Sequence, residues 1–242
     1  MQLLLIRHGL PTAHRESDTI ADPALDELGR RQAERVPDAI ERHGVTRLVS
    51  SPQLRARQTA EPTAAKLGLD VWVIDGLAEY DRELPLYIPV EDAKLRAGFE
   101  RLMQGELPEQ IDAAAFKARV IRAVDSIVDQ CDHRETVAVF AHGGVINCYL
   151  QHILHNDRSL GFQIDYCSVT RILVSRNGRR AVAGVNETAH VWDLLPRNIA
   201  RDQPLSHEAA QPLSREAAQP PSENATTNPA AVDTPTHQPP SL

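Results

Sequence analysis

Three short stretches of the sequence join a strand-like apolar run to side chains that can bind an anion. They read LIRHG at residues 5–9, SSPQLR at residues 50–55 and FAHGG at residues 140–144. In each stretch the apolar run ends abruptly, and a cationic or imidazole side chain follows at or just beyond its end. Three such ends predict one pocket for an oxyanion, with a phosphoryl group as the leading candidate. Because a histidine can accept a phosphoryl group covalently, the predicted pocket is catalytic.

The side chains in these stretches supply complementary chemistry. Arg7 and Arg55 keep their charge and can each make a forked contact to phosphate oxygens. The surrounding cations favour the neutral, nucleophilic form of His8, which can attack phosphorus through one ring nitrogen. His142, as an N–H donor or as the cation, can neutralise charge on the equatorial oxygens of the transition state.

A proton donor for the leaving oxygen is still needed, and Glu79 is the leading candidate. It lies in the run GLAEY at residues 76–80, soon after a predicted strand. General acid–base assistance typically contributes roughly 10²–10⁴ in rate. Asp81 and Glu83 are close by, so they stay open as alternative donors, and a charge run after a strand is also typical of a solvated loop.

Each stretch alone also fits a purely structural interpretation, as a turn or as a capped helix with a solvated arginine. Their joint occurrence at equivalent positions argues against that interpretation. A metal site built from His8, His142 and a carboxylate is rejected because Arg7 and Arg55 would repel the cation.

Length and composition limit the classes of function. The chain has 242 residues, is 42% hydrophobic and carries a net charge of -7. These values predict one sizeable core and no general affinity for nucleic acid or anionic membranes. The apolar run at residues 3–6 is too short for a signal peptide or a membrane span. Cys131, Cys148 and Cys167 follow no disulfide or metal-binding spacing, which predicts a reducing, cytoplasmic location.

The composition changes near residue 200. Beyond it the chain is rich in Pro, Ala, Ser, Thr and Gln, and an eight-residue unit starts at residue 203, recurs at 211 and decays from 219. Such a tail cannot offset its ordering entropy, so residues 201–242 are predicted to be disordered, with a docking tract for a partner as the alternative. Residues 1–200 are then the folded domain.

Hydrophobic periodicity predicts an α/β fold. Because strands alternate with helices, we expect a mostly parallel sheet covered on both faces. In such sheets ligands bind beyond the carboxyl ends of the strands, where two helix N-termini, after Ser51 and after the Gly143-Gly144 pair, would add N–H donors. Ser51 is the predicted N-cap, with Pro52 at the first helical position. The predicted strands cover residues 3–7, 47–50, 71–74, 137–141, 169–174 and 181–185, and the predicted helices cover residues 27–42, 52–66, 114–129 and 145–155.

The motifs together resemble the histidine phosphatase superfamily, in its phosphoglycerate mutase-like branch. The resemblance spans residues 5–146 in the family's order and adds DELGRRQA at residues 26–33 and ARQTA at residues 56–60 to the stretches above. It implies a three-layer α/β/α sandwich and a phosphohistidine intermediate, without a metal or organic cofactor. The roles it implies are a nucleophile at His8, a proton donor at Glu79, and a phosphate pocket from Arg7, Arg55, His142 and Gly143.

Two departures from the family pattern bear on the reaction. His14 stands where relatives often have a phosphate-contacting Asn. The segment after Glu79, YDRELP at residues 80–85, lacks the run that is typical of the mutases. Hydrolysis of phosphomonoesters is therefore the leading hypothesis, ahead of a mutase-like phosphotransferase and of an inactive phosphate-recognition module. The expected substrate is a small molecule of open identity. A homodimer is one option for the oligomeric state, and residues 83–112 are expected to cap the pocket.

Overall fold

A computed structural model describes residues 1–14, 20–87, 104, 106–156 and 158–202, with only the backbone of residues 200–202. The chain divides into two units, and the first, Met1–Gln203, contains one mixed six-stranded sheet. The second unit, Pro204–Leu242, lies outside the described residues. It contains most of the tail that is predicted to be disordered, so that prediction stays untested. The strands are β1 (Gln2–Arg7), β2 (Arg47–Ser50), β3 (Val71–Val73), β4 (Thr136–Ala141), β5 (Val169–Val174) and β6 (Arg180–Glu187).

The sheet has the order β3-β2-β4-β1-β5-β6. Strands β1 to β4 run parallel, whereas β5 pairs antiparallel with β1 and β6 pairs antiparallel with β5. This arrangement confirms the predicted mostly parallel sheet. The helices are α1 (Glu27–Glu34), α2 (Val36–Ile40), α3 (Leu54–Leu67), α4 (Ala113–Asp129), α5 (Gly143–Leu154) and α6 (Pro196–Asp202).

Alternating side chains of the central strands build a core on each face of the sheet. Leu3 and Leu5 of β1 pack towards α4 and α5, whereas Leu4 and Ile6 pack towards α1, α2 and α3. All six residues of β4 are buried, as expected for a central strand that is covered on both sides. The predicted three layers are therefore confirmed. None of the described helices has the length and apolar character needed to cross a bilayer.

The predicted single helix over residues 27–42 is wrong. The chain forms α1 and α2, separated at Arg35, and then a 3₁₀ turn at Glu41–His43. Pro37 lies in the first turn of α2. Proline has no N–H to continue the hydrogen bonds of α1, so the helix restarts there.

The parallel register brings the three motif stretches to one edge of the sheet. Arg7 is paired with Ala141, and Ser50 with Phe140, so β1, β4 and β2 end side by side. The residues that follow these strand ends are His8, His142 and Ser51. This placement confirms the predicted convergence of the strand ends.

The two helix starts at this edge differ from the prediction. The N-cap of α3 is Gln53 and not Ser51, and Asp22, from a distant loop, accepts the Leu54 N–H at 2.9 Å. The N-cap of α5 is His142, so this helix begins at Gly143 rather than after the glycine pair.

Candidate active site

His8 lies at the end of β1 and is only 2% exposed. Its Nδ1 is 2.7 Å from the Gly9 carbonyl oxygen, which can only accept, so the proton of the neutral ring is on Nδ1. Its Nε2 accepts a long, 3.4 Å contact from the Nε–H of Arg55. Burial first, and then the charges of Arg55 and Arg7, hold the pKa of His8 well below its usual range. His8 therefore presents a neutral ring with its lone pair on Nε2.

Arg55 is fully buried in the first turn of α3 and is held from two sides. Its Nη2 donates to both carboxylate oxygens of Asp81, at 2.9 and 3.2 Å. Its guanidinium lies 4.7 Å from the centre of the Tyr87 ring. The buried Nη1 has no hydrogen-bond partner among the described residues. A buried donor left over in this way is suited to an anionic ligand.

His142 is the second buried imidazole, and its ring centroid is 5.1 Å from that of His8. Its Nε2 lies 2.7 Å from the Ser51 hydroxyl, whereas its buried Nδ1 has no partner among the described residues. Burial, followed by Arg55, His8 and Arg7, lowers the pKa of His142 well below the ordinary value. If Ser51 donates to Nε2, the Nδ1–H of the neutral ring becomes a donor for a ligand.

Arg7 is anchored next to the start of α5. Its Nη1 donates to the Ile164 carbonyl at 2.6 Å, and its guanidinium stacks 3.8 Å from the centre of the Tyr166 ring. A Cβ built on Gly143 would lie 3.7 Å from the Nε of Arg7, so the two residues are neighbours. The arginine and the first backbone N–H groups of α5 thus occupy the same part of the site.

Glu79 follows β3 and a short 3₁₀ turn (Asp75–Leu77), and it is buried. One carboxylate oxygen accepts the Gly144 N–H at 2.7 Å, and the other accepts the Tyr80 N–H at 3.1 Å. Burial and the nearby charge of Asp81 outweigh these hydrogen bonds and raise the pKa of Glu79 to about 7. A carboxyl group with this pKa can give and take a proton near neutrality.

The other two carboxylates of this segment do not share that environment. Glu83 is exposed. Asp81 is buried and paired with Arg55, so the alternative interpretation of this charge run as a solvated loop does not apply to it. Its partner lies 26 residues earlier in the chain, and the local sequence offers no sign of the pairing.

Several supporting residues were not singled out from the sequence, although the family motifs contain them. Gln53 accepts the Glu79 N–H at 2.7 Å, and Thr59 accepts the Gly9 N–H at 3.0 Å. Gln32 accepts the Leu10 N–H at 2.9 Å. Buried side-chain acceptors of this kind fix the loops that follow β1 and β3.

His14 lies at the border of the described residues. Its backbone pairs with Tyr87 through bonds of 2.8 and 2.9 Å, and its buried Nε2 has no partner among the described residues. Most of the segment at residues 83–112 that is expected to cap the pocket lies outside the described residues.

Comparison with known proteins identifies the family. The family model of the histidine phosphatase superfamily (branch 1) matches residues 3–188. The probable phosphoglycerate mutase GpmB of Proteus mirabilis is 26% identical over 217 residues, which cover 83% of this chain and 100% of that protein.

Solved structures share the fold. The mycobacterial glucosyl-3-phosphoglycerate phosphatase in complex with VO3 has a TM-score of 0.64 at 23% identity, covering 77% of this chain and 98% of that one. The phosphoserine phosphatase of Entamoeba histolytica with 3-phosphoglyceric acid has a TM-score of 0.62 at 22% identity, covering 78% and 98%. With the family model matched over most of the described domain, the chain belongs to the histidine phosphatase superfamily.

Proposed function

We propose that this protein hydrolyses small phosphomonoesters through a phosphohistidine intermediate on His8. The observation that carries the proposal is the state of His8, a buried, neutral imidazole with its lone pair on Nε2 beside Arg55. A neutral ring nitrogen in a cationic pocket is suited to attack phosphorus, because the cations neutralise the phosphoryl oxygens while leaving the nucleophile unprotonated.

The reaction has two steps. In the first, Nε2 of His8 forms a bond to phosphorus, the bond to the ester oxygen breaks, and the carboxyl of Glu79 gives its proton to the departing alkoxide. In the second, the Glu79 carboxylate takes a proton from water, whose oxygen attacks phosphorus and releases His8 and inorganic phosphate. The raised pKa of Glu79 suits both roles, since the group must be an acid first and a base afterwards.

The remaining site residues bind the transferred group. Arg7 and Arg55 neutralise its charge with forked donors, and the Nη1 of Arg55 has no other described partner. His142 contributes an N–H through Nδ1, and Gly143 contributes the backbone at the start of α5. These groups stabilise the charge on the equatorial oxygens of the transition state. No metal or organic cofactor enters this scheme.

Two of the similar solved structures are a glucosyl-3-phosphoglycerate phosphatase and a phosphoserine phosphatase, which supports a small-molecule substrate. The GpmB relative favours a second candidate, a mutase-like phosphotransferase, because that relative is matched over its whole length. Incubation with 3-phosphoglycerate and ³¹P NMR separates the two candidates. Released phosphate supports hydrolysis, whereas 2-phosphoglycerate without phosphate supports the transferase.

The proposal is tested by following turnover of a ³²P-labelled phosphomonoester, chosen from a panel of phosphorylated metabolites, and stopping it with detergent at alkaline pH. We expect a protein-bound label that is stable in base and labile in acid, and its absence in His8→Ala. We also expect His8→Ala to lose activity by about 10⁴-fold or more while keeping its fold, as judged by circular dichroism. If the wild type neither binds the label nor turns over any substrate of the panel, the inactive recognition module is favoured instead.

A cytoplasmic location and a homodimer remain predictions. The free state of Cys131, Cys148 and Cys167 supports the first, since a reducing compartment keeps thiols unpaired. Sedimentation of the purified protein would determine the oligomeric state.

A further inference from the structure

Asp81 is a buried carboxylate for which the reaction above has no role. It is 6% exposed and lies two residues after Glu79, in the segment that lacks the run typical of the mutases. Its oxygens accept from the Nη2 of Arg55 at 2.9 and 3.2 Å and from the Nε2 of Gln53 at 3.2 Å. A buried charge with this many directed contacts is costly to form, so a functional explanation is warranted.

We infer that Asp81 is a positioning residue of this active site, which fixes Arg55 for the phosphoryl oxygens and couples that arginine to the proton donor Glu79. The inference rests on the proposed function, because it assigns Asp81 a part in the same reaction.

The ion pair determines which edge of the Arg55 guanidinium is available. Nη2 is occupied by Asp81, Nε points to His8 Nε2, and the buried Nη1 has no partner among the described residues. A planar guanidinium that is held at one nitrogen has its other donors pre-oriented. Asp81 therefore occupies Nη2, while Nε faces the nucleophile and the buried Nη1 is available to a phosphoryl oxygen.

Gln53 links this ion pair to the acid. Its side-chain N–H donates to Asp81, and its side-chain oxygen accepts the backbone N–H of Glu79 at 2.7 Å. The same amide thus holds both carboxylate residues, and it stands directly before α3, which carries Arg55. A shift of any one member would displace the others, as expected for a buried polar network.

The charge of Asp81 acts on Glu79 as well. Burial and then Asp81 raise the pKa of Glu79, whereas Gly144, Tyr80 and Arg55 lower it. The guanidinium of Arg119, from α4, contacts the backbone carbonyls of this segment, and the thiol of Cys148, from α5, also faces Glu79. Removing the charge of Asp81 would take away a repulsion and leave Arg55 uncompensated. Both changes favour the ionised form of Glu79.

The test compares the full chain with Asp81→Asn. The matched control is Asp193→Asn, which breaks an exposed bidentate pair with Arg35. The protonation midpoint of Glu79 is measured by ¹³C NMR on glutamate-labelled protein, with the signal assigned by its loss in Glu79→Gln. We expect the midpoint to fall by about one pH unit in Asp81→Asn and to stay unchanged in the control. An unchanged midpoint in Asp81→Asn would overturn the inference.

Turnover supplies a second readout that a merely structural role would not move. We expect kcat/KM of Asp81→Asn for an alkyl phosphate, relative to wild type, to fall about fivefold more at about pH 8 than at about pH 6, because less Glu79 remains protonated. An equal loss at both values would mean a structural role and would overturn the inference. If Asp81→Asn shifts the NMR midpoint but the wild type has no phosphatase activity, the coupling of Asp81 to Glu79 is supported and the proposed function is contradicted.

Asp81→Glu keeps the experiment decisive if the asparagine variant does not fold. It retains the charge but lengthens the side chain by one methylene, which displaces Arg55. We expect kcat/KM to fall about tenfold while the Glu79 midpoint stays near the wild-type value. Wild-type kcat/KM in Asp81→Glu would overturn the positioning role.

Discussion

The Glu79 carboxylate accepts a 2.7 Å hydrogen bond from the backbone N–H of Gly144, in the first turn of α5. This bond joins the loop after β3 to the helix that follows β4. A charge-assisted bond at a helix N-terminus favours the ionised carboxylate. Burial and the charge of Asp81 favour the neutral acid. Their combined effect is the larger one, since the pKa of Glu79 is raised to about 7. The site thus keeps the acid close to Gly144 and mostly protonated below about pH 7.

Replacing Glu79 with Gln should separate substrates by their leaving groups. Alkyl phosphates need a proton on the departing oxygen, so we expect kcat/KM to fall by about 10²–10⁴-fold. Aryl phosphates leave without much protonation, so a loss of less than about tenfold is expected for p-nitrophenyl phosphate. Steady-state rates on both substrate classes check this. Equal losses on the two substrate classes would contradict the assignment of Glu79 as proton donor and favour Asp81 or Glu83 instead.

Gly144→Ala should disturb the acid without touching the nucleophile. A Cβ on Gly144 would lie 2.4 Å from Oε1 of Glu79 and 2.8 Å from the ring of Tyr80, so these side chains must move. We expect a loss of about 1–3 kcal/mol in the free energy of unfolding, as for overpacked cores, and a larger loss of kcat/KM for alkyl than for aryl phosphates.

The control for this change is Gly161→Ala. A Cβ there meets its nearest atom at 3.5 Å, an ordinary contact, so stability and activity should stay near the wild-type values. Urea unfolding and the same two substrates provide the comparison. Wild-type selectivity in Gly144→Ala would show that the close approach seen in the structure does not constrain the acid.

The sequence contains enough information to predict the strand ends and the residues that follow them. Apolar runs that end at Arg7, Ser50 and Ala141 mark parallel strands, and the parallel topology then brings His8 and His142 together. The family match confirms the resemblance on which the proposed roles rest.

Other parts of the site depend on long-range contacts that no local pattern encodes. Asp81 resembles any acidic loop residue until Arg55 is found beside it, 26 positions earlier in the chain. Ser51 resembles an N-cap because its type and the following proline suit one, but Asp22 takes over part of that role at Leu54. Tertiary contacts override local helix signals in this way because a carboxylate from elsewhere satisfies the same orphan N–H groups.

The stability of the protein should depend on pH through Glu79. The pKa of this group is about 7 in the fold, above its ordinary value of 4.5. The folded state therefore holds the proton more tightly, and the stabilisation that is complete below pH 4.5 is lost as the pH rises to about 7. The loss amounts to about 3 kcal/mol.

The measurement uses Glu79→Gln, which cannot ionise. The free energy of unfolding of the variant minus that of the wild type should rise by about 3 kcal/mol across this window and then stay level. Because the pKa values of His8 and His142 are lowered, the free energy of unfolding also falls as the pH drops below 6.5. This effect is common to the wild type and the variant. Urea unfolding at a series of pH values tests this, and a difference that does not vary with pH would refute it.

Ser51 should act on catalysis only through His142. Its hydroxyl lies 2.7 Å from the Nε2 of His142 and accepts the Gln53 N–H at 3.3 Å, so it sets the tautomer and tilt of the ring. We expect Ser51→Ala to lower kcat about fivefold, which corresponds to the net value of roughly 1 kcal/mol for one hydrogen bond. Ser50→Ala is the control. It also removes a buried hydroxyl, but that hydroxyl donates to the Ser51 carbonyl, so the contact between Ser51 and His142 is kept.

A double-mutant cycle tests whether the effect passes through the imidazole. In a His142→Ala background, Ser51→Ala should have little further effect on kcat, because the ring that the hydroxyl orients is gone. Two losses that simply add would mean that Ser51 acts on the reaction independently of His142, for instance through the loop that leads into α3. The ratio of rates in the four proteins of the cycle, measured with one aryl phosphate, distinguishes these outcomes.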